Sequence, residues 1–274
     1  MRIDLLLPSI LLSTIIASLL LYRKVEKRIR SIIGDRKVKP REVFLIVASM
    51  GALVTLVILL PGFMLQIIFL FAYSYMLLIF SYVILNRWTL AFIPPVAFIT
   101  AYLSVVYLMP EENIASLLFM NLSAALFAVM ATVYINSMFP WKVTLIFASL
   151  LTVMDFIQVF LTGHMVEAAY KMESLRLPVM LYSQLARLGA GDAFLSGLLS
   201  VQAAARYGVG AGFTTAATIA ASLFIFEVLA LNSYIGYSVF PATIIVLLGW
   251  LLGLAIYFLG RKYVEGIRKD VCRS

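Results

Sequence analysis

Residues 188 to 206 read LGAGDAFLSGLLSVQAAAR, and the fold of the whole chain turns on what Asp192 is doing inside that stretch. A glycine-rich turn that opens a helix suits two chemistries. In a soluble kinase its backbone amides would cradle phosphate while the acid takes a proton from a hydroxyl. Within a membrane the same acid is a costly charge, kept for a functional reason. A motif of four letters does not choose between them, so the surrounding chain must.

Composition chooses the membrane. Of 274 residues 64% are hydrophobic and 12% are charged, with a mean hydropathy of +1.05, whereas a soluble domain carries roughly 25% charged residues. A doubly wound soluble kinase needs a charged outer surface that these residues cannot build. The net charge of +8 does not point to nucleic acid, because nine of the 21 basic residues crowd between Arg23 and Arg41. Beside a membrane span, such a cluster sets topology and meets anionic headgroups. A single cysteine, Cys272, and a single histidine, His164, allow no intrachain disulfide, suggest neither a Cys-based zinc site nor a thiol nucleophile, and exclude a His-rich metal site. Catalysis, if any, runs on carboxylates, hydroxyls and backbone groups.

A helix needs about 20 apolar residues to cross the hydrocarbon, and nine segments qualify, at approximate limits 4–22, 43–61, 63–85, 88–109, 114–137, 141–163, 188–206, 209–231 and 239–260. Turn and polar residues separate them: Pro61-Gly62, Asn86-Arg87, Pro110 to Asn113, Phe139-Pro140, Arg206 to Gly208 and Asn232-Ser233. The first segment lacks a small-residue cleavage pattern and reads as a retained span. Placing the basic cluster in the cytoplasm puts 17 of 21 basic residues inside, leaving Arg2, Lys171, Arg176 and Arg187 outside. The expectation is an all-α polytopic protein of the cell membrane of a prokaryote, with nine transmembrane helices, the N-terminus outside and the C-terminus cytoplasmic. It forms a single membrane domain over 1–274, in which 1–137 carries spans one to five as a scaffold and 138–274 carries spans six to nine.

The stretch from His164 to Arg187, HMVEAAYKMESLRLPVMLYSQLAR, is neither a clean span nor a polar loop. Charges alternate with apolar residues in a helical pattern up to Pro178, which predicts an amphipathic helix at the interface or a gate over a site between the sixth and seventh spans.

Of 13 acidic residues, only Asp155, Asp192 and Glu227 fall within spans. Glu227 lies about four residues from the outer end of its helix, where it is placed to snorkel to the interface. Asp155 lies about 12 Å from the outer end of the sixth span and Asp192 about 6 Å into the seventh, at 1.5 Å per residue. They stand on adjacent antiparallel helices without a basic residue at similar depth. Two close carboxylates cannot both ionise, so the pair would share one proton and work as base and acid in turn. Gly189 and Gly191, flanking Ala190 just before Asp192, let another backbone approach and let the helix start deform.

At these residues the chain resembles the presenilin and signal peptide peptidase group of intramembrane aspartyl proteases, in its archaeal form. The likeness lies in the nine-span plan, in Asp155 within VMDFIQVF, in HMVEAA and LRLPVML, in the GAGD of Gly189 to Asp192 and in Pro241-Ala242 at the start of the ninth span. Two positions depart from the group's pattern: Met154 stands where it has Tyr, and Thr243 where it has Leu. The resemblance implies a presenilin-like fold, Asp155 and Asp192 as catalytic residues, and positioning of extended substrate by Gly189, Ala190, Gly191, Pro241, Ala242 and Thr243. It implies single-span membrane proteins or signal peptides as substrates, the lipid bilayer as surroundings, no nucleic acid, no cofactor, and room for a homo-oligomer. The orientation matches signal peptide peptidase rather than presenilin, which implies substrates with a cytoplasmic N-terminus. A proton- or ion-coupled transporter is the alternative, since paired intramembrane acids also form relays.

Overall fold

The computed structural model describes residues 3–33, 37–110, 113–232 and 240–271. The expected breaks at Glu111-Glu112 and Ser233, the start of the ninth segment at residue 239, and Arg2 and Cys272 lie outside the described residues.

Helix α1 (Leu6–Ile33) is followed by α2 (Pro40–Leu59), α3 (Gly62–Leu85), a single turn α4 (Trp88–Ala91) that runs into α5 (Ile93–Leu108), and α6 (Ile114–Met138). Next come α7 (Trp141–Phe156), which continues as a π-helical turn over Ile157–Leu161, and α8 (His164–Ser174). A hairpin of β1 (Met180–Tyr182) and β2 (Arg187–Gly189) then leads into α9 (Ala190–Tyr207), α10 (Val209–Leu231) and α11 (Ala242–Val271). The breaks have local causes. Pro40 opens α2, where the Glu42 side chain accepts from the Lys39 N–H at 3.0 Å. Asn86 ends α3 in the left-handed region at φ 54°, Asn113 caps α6 by accepting from the Ala115 N–H at 2.9 Å, and Gly208 at φ 102° separates α9 from α10.

Eight of these segments are long and apolar enough to cross a membrane: Leu6–Ile29, Pro40–Leu59, Gly62–Leu85, Trp88–Leu108, Ile114–Met138, Trp141–Leu161, Val209–Leu231 and Ala242–Tyr263. Leu45, Phe71 and Leu108 on them are 70, 74 and 80% exposed. Apolar surface on that scale is stable only in contact with lipid. The chain is an all-α polytopic integral membrane protein with one small hairpin.

The seventh expected segment behaves differently, since α9 is not apolar enough to join the eight. It packs against α1, α6, α7, α10 and α11, and every residue from Ala193 to Ala203 is buried. A helix enclosed by protein needs no lipid-facing apolar stripe. Some of its polar groups find partners on neighbouring elements. Gln202 donates to Asn136 Oδ1 and to the Phe139 carbonyl, both at 2.6 Å, and Thr132 donates to the Phe194 carbonyl at 3.2 Å.

Small residues set the spacing between α10 and α11. A methyl group added at Gly249 would stand 2.7 Å from the Cα of Ile219, and one at Gly253 would stand 2.7 Å from the Cα of Thr215. Backbone at that distance does not yield. Gly253→Ala is therefore expected to destabilise the fold by about 1–3 kcal/mol, while Gly260→Ala, which meets no atom within 4 Å, is the neutral control. Thermal unfolding in detergent compares the two.

The stretch between α7 and α9 is helical only to Ser174. The helix expected up to Pro178 is present over His164–Ser174, a non-helical link follows to Val179, the hairpin comes after it, and α9 starts at Ala190 rather than 188. Two cations fasten this segment to helix ends. Lys171 donates to the carbonyls of Ile58 and Leu60 at 2.7 and 2.6 Å. Arg176 donates to those of Val106 and Met109 at 3.2 and 3.0 Å. Both satisfy carbonyls that a helix C-terminus leaves open. Asn121 on α6 holds the hairpin from the side, accepting from the Tyr182 N–H at 2.6 Å and donating to its carbonyl at 2.8 Å.

Candidate active site

Asp155 is the second-last residue of α7, immediately before the π-helical turn. Such turns re-aim side chains and are frequent at functional sites. Here the turn carries Gln158, which donates to the Gly51 carbonyl at 3.2 Å and ties α7 to α2. Met154, on the same stretch, would lie 3.1 Å from a methyl added at Gly51, so it packs into the α2 contact.

Asp192 is the third residue of α9, where the helix dipole and free backbone N–H groups favour negative charge. Asp155 meets the start of another helix. Pro241 precedes α11, and the hydroxyl of Thr243, the second residue of α11, donates to Asp155 Oδ2 at 2.7 Å. Both side chains of that bond are buried, at 5 and 8% exposure. The two carboxylates line one cavity of about 620 Å³. The juxtaposition expected from the sequence is present.

The expected positioning residues divide. Gly189, Pro241 and Ala242 line the cavity with the two acids. Ala190 instead is buried, its N–H donating to the Val179 carbonyl at 2.9 Å. Thr243 stands behind Asp155, and Gly191 has no atom within 4 Å of an added methyl. Gly189 is constrained by space alone, because its φ of −62° suits any residue. A methyl there would come 3.1 Å from Asp192 Oδ2. If Asp192 is a reacting group, displacing it by a few tenths of an ångström is costly. Gly189→Ala is expected to lower kcat about tenfold, and by more than Gly191→Ala does; steady-state rates on one substrate compare them.

Three features escaped the sequence. Thr243 is the polar exception in an apolar helix start, and that was a signal for its bond to Asp155. Glu173 and Arg187 form an ion pair on the cavity wall, joining α8 to β2. Glu227 does not reach the interface: it is 5% exposed and lines the cavity. Beside the hairpin, burial and then the Glu173 charge push the Tyr182 hydroxyl up to about 12, so it stays protonated throughout any ordinary assay.

No protein-family model matches the chain, and no curated protein matches it significantly.

Proposed function

We propose that the chain is an intramembrane aspartyl protease of presenilin-like fold, with α9 as the seventh of nine membrane helices and Asp155 and Asp192 as the catalytic pair. The observation that carries this reading is that two carboxylates on separate helices line a single cavity, with no basic side chain bonded to either among the described residues. Two acids so placed share one proton.

The Thr243 hydroxyl donates to Asp155, and this supports the reading in which Asp155 is the base. Asp155 takes a proton from water as the oxygen attacks the scissile carbonyl carbon. Asp192 gives its proton to the carbonyl oxygen, and a tetrahedral diol forms. The diol collapses as one of its hydroxyls returns a proton to Asp192 and Asp155 passes its proton to the leaving nitrogen, which breaks the C–N bond and restores the starting state of the pair.

A substrate helix hides its carbonyls in its own hydrogen bonds and must unwind before attack. The hairpin offers the unwound segment somewhere to go. Tyr182 turns its peptide groups toward Asn121, so antiparallel alternation turns those of Arg187, its partner across the ladder, outward on the β2 edge. That edge borders the cavity and can pair with extended substrate. The substrates we assign are single-span membrane proteins and signal peptides with a cytoplasmic N-terminus, cut without a cofactor in the cell membrane of a prokaryote. The N-terminus of the enzyme lies outside and its C-terminus inside.

The test is cleavage of a labelled single-span substrate by the purified protein in detergent, with fragments identified by mass spectrometry. One cut within the span, with a bell-shaped pH profile, is expected because one proton is needed and a second blocks. Intact substrate together with acid-dependent ion flux in liposomes would instead establish a transporter.

A further inference from the structure

Glu227 is the acid this mechanism leaves unused. It sits four residues before the end of α10 on the wall of the cavity that holds Asp155 and Asp192. Neither of its carboxylate oxygens has a hydrogen-bond partner among the described residues. Among the described residues the charge that bears on it is that of another acid, Asp4, which is 7% exposed on the element leading into α1, the helix packed against α10. Asp4 Oδ1 accepts from the Leu6 N–H at 2.9 Å, at the start of α1, and its Oδ2 is also buried and unpartnered. The cation on the cavity wall, Arg187, is taken by Glu173.

A buried carboxyl without a partner weakens a fold, and a second acid beside it adds repulsion. A cation supplied from outside removes both penalties. Two carboxylates are too few to coordinate a hard divalent ion, and among the described residues no group of three or more His, Cys, Asp or Glu could hold a metal. A long cationic side chain fits better. Leu223, Phe226 and Ala230 on the same wall give its methylene stem an apolar bed while the charged head reaches Glu227.

We infer that Glu227, backed by Asp4, forms a subsite for a lysine or arginine side chain carried where the substrate helix leaves the membrane. This rests on the proposed protease reading. It deepens that reading by naming a substrate feature: a basic residue flanking the cut span, held one cavity wall away from the dyad.

The experiment uses single-span peptides carrying lysine or norleucine at successive positions through the outer flank, compared as kcat/KM and as Kd in nanodiscs. At one or two adjacent positions wild type is expected to favour lysine at least about tenfold, and in Glu227→Gln the ratio falls toward one. No lysine preference at any position overturns the subsite, as it must if Asp4 and Glu227 merely share a proton. A full preference kept by Glu227→Gln overturns it as well. Should that variant fail to fold, the wild-type ratio still decides. The Kd ratio decides when no peptide is cut, an outcome that fails the protease reading and not the subsite.

Discussion

Asp155→Asn and Asp192→Asn are each expected to lower cleavage of a single-span substrate by at least about 10³-fold, with the double variant no worse than either single one. The size follows from roles that do not work apart. In the proposed mechanism no nucleophile forms without the base, and without the acid the carbonyl oxygen keeps its charge in a medium that does not solvate it. Residues that act as one unit lose nearly everything on the first substitution. Asn preserves side-chain shape, so folding is unaffected and the loss reads on chemistry. Quantified fragment yield from purified protein, beside an unchanged thermal unfolding midpoint, checks the result. Activity near wild type in either single variant would remove that residue from the dyad.

Thr243→Val should produce the next largest loss, roughly 10- to 100-fold in kcat with KM little changed. Valine matches threonine in shape but removes the hydroxyl, and a hydrogen bond to a charged group is worth about 1.5–3 kcal/mol. Because Thr243 is buried behind Asp155 at 5% exposure, it does not form the cavity wall that meets substrate, which is why the effect falls on kcat. Thr243→Ser keeps the hydroxyl and is expected to recover most of the rate. Equal losses in Val and Ser would show that the methyl matters and the 2.7 Å bond does not.

How far the sequence revealed this arrangement depended on the kind of signal. Long apolar runs and the scarcity of acids within them placed the helices and singled out Asp155 and Asp192, since an intramembrane charge is too costly to be incidental. Helix rotation was harder to read. α10 is apolar nearly all round, and a helix without an amphipathic stripe does not announce which side faces its neighbours. Glu227 therefore read as a snorkelling side chain, while the packing of α10 against α1 and α11 turns it inward. The hairpin was hidden for another reason. Its strands are three residues each, too short for alternation to register, and one of its supports is Asn121, about 60 residues earlier in the chain. The departure at Thr243 was visible as a letter, but its purpose required α11 to start beside the end of α7.

The enclosure of α9 bears on how the protein is made. A helix that enters lipid as it emerges from the ribosome does so on its own apolarity, and α1, α6, α7 and α10 each meet that requirement. α9 does not, although it carries Asp192. Its place becomes favourable only when α6 already stands to bond Gln202 and the Phe194 carbonyl, with α1 packed beside it, and when α10 and α11 follow to close the remaining side. Biogenesis would then be ordered by need rather than by sequence position. The segment bearing Asp192 commits to the bilayer last, so on the proposed function an incompletely synthesised chain holds Asp155 without its partner acid and is inactive.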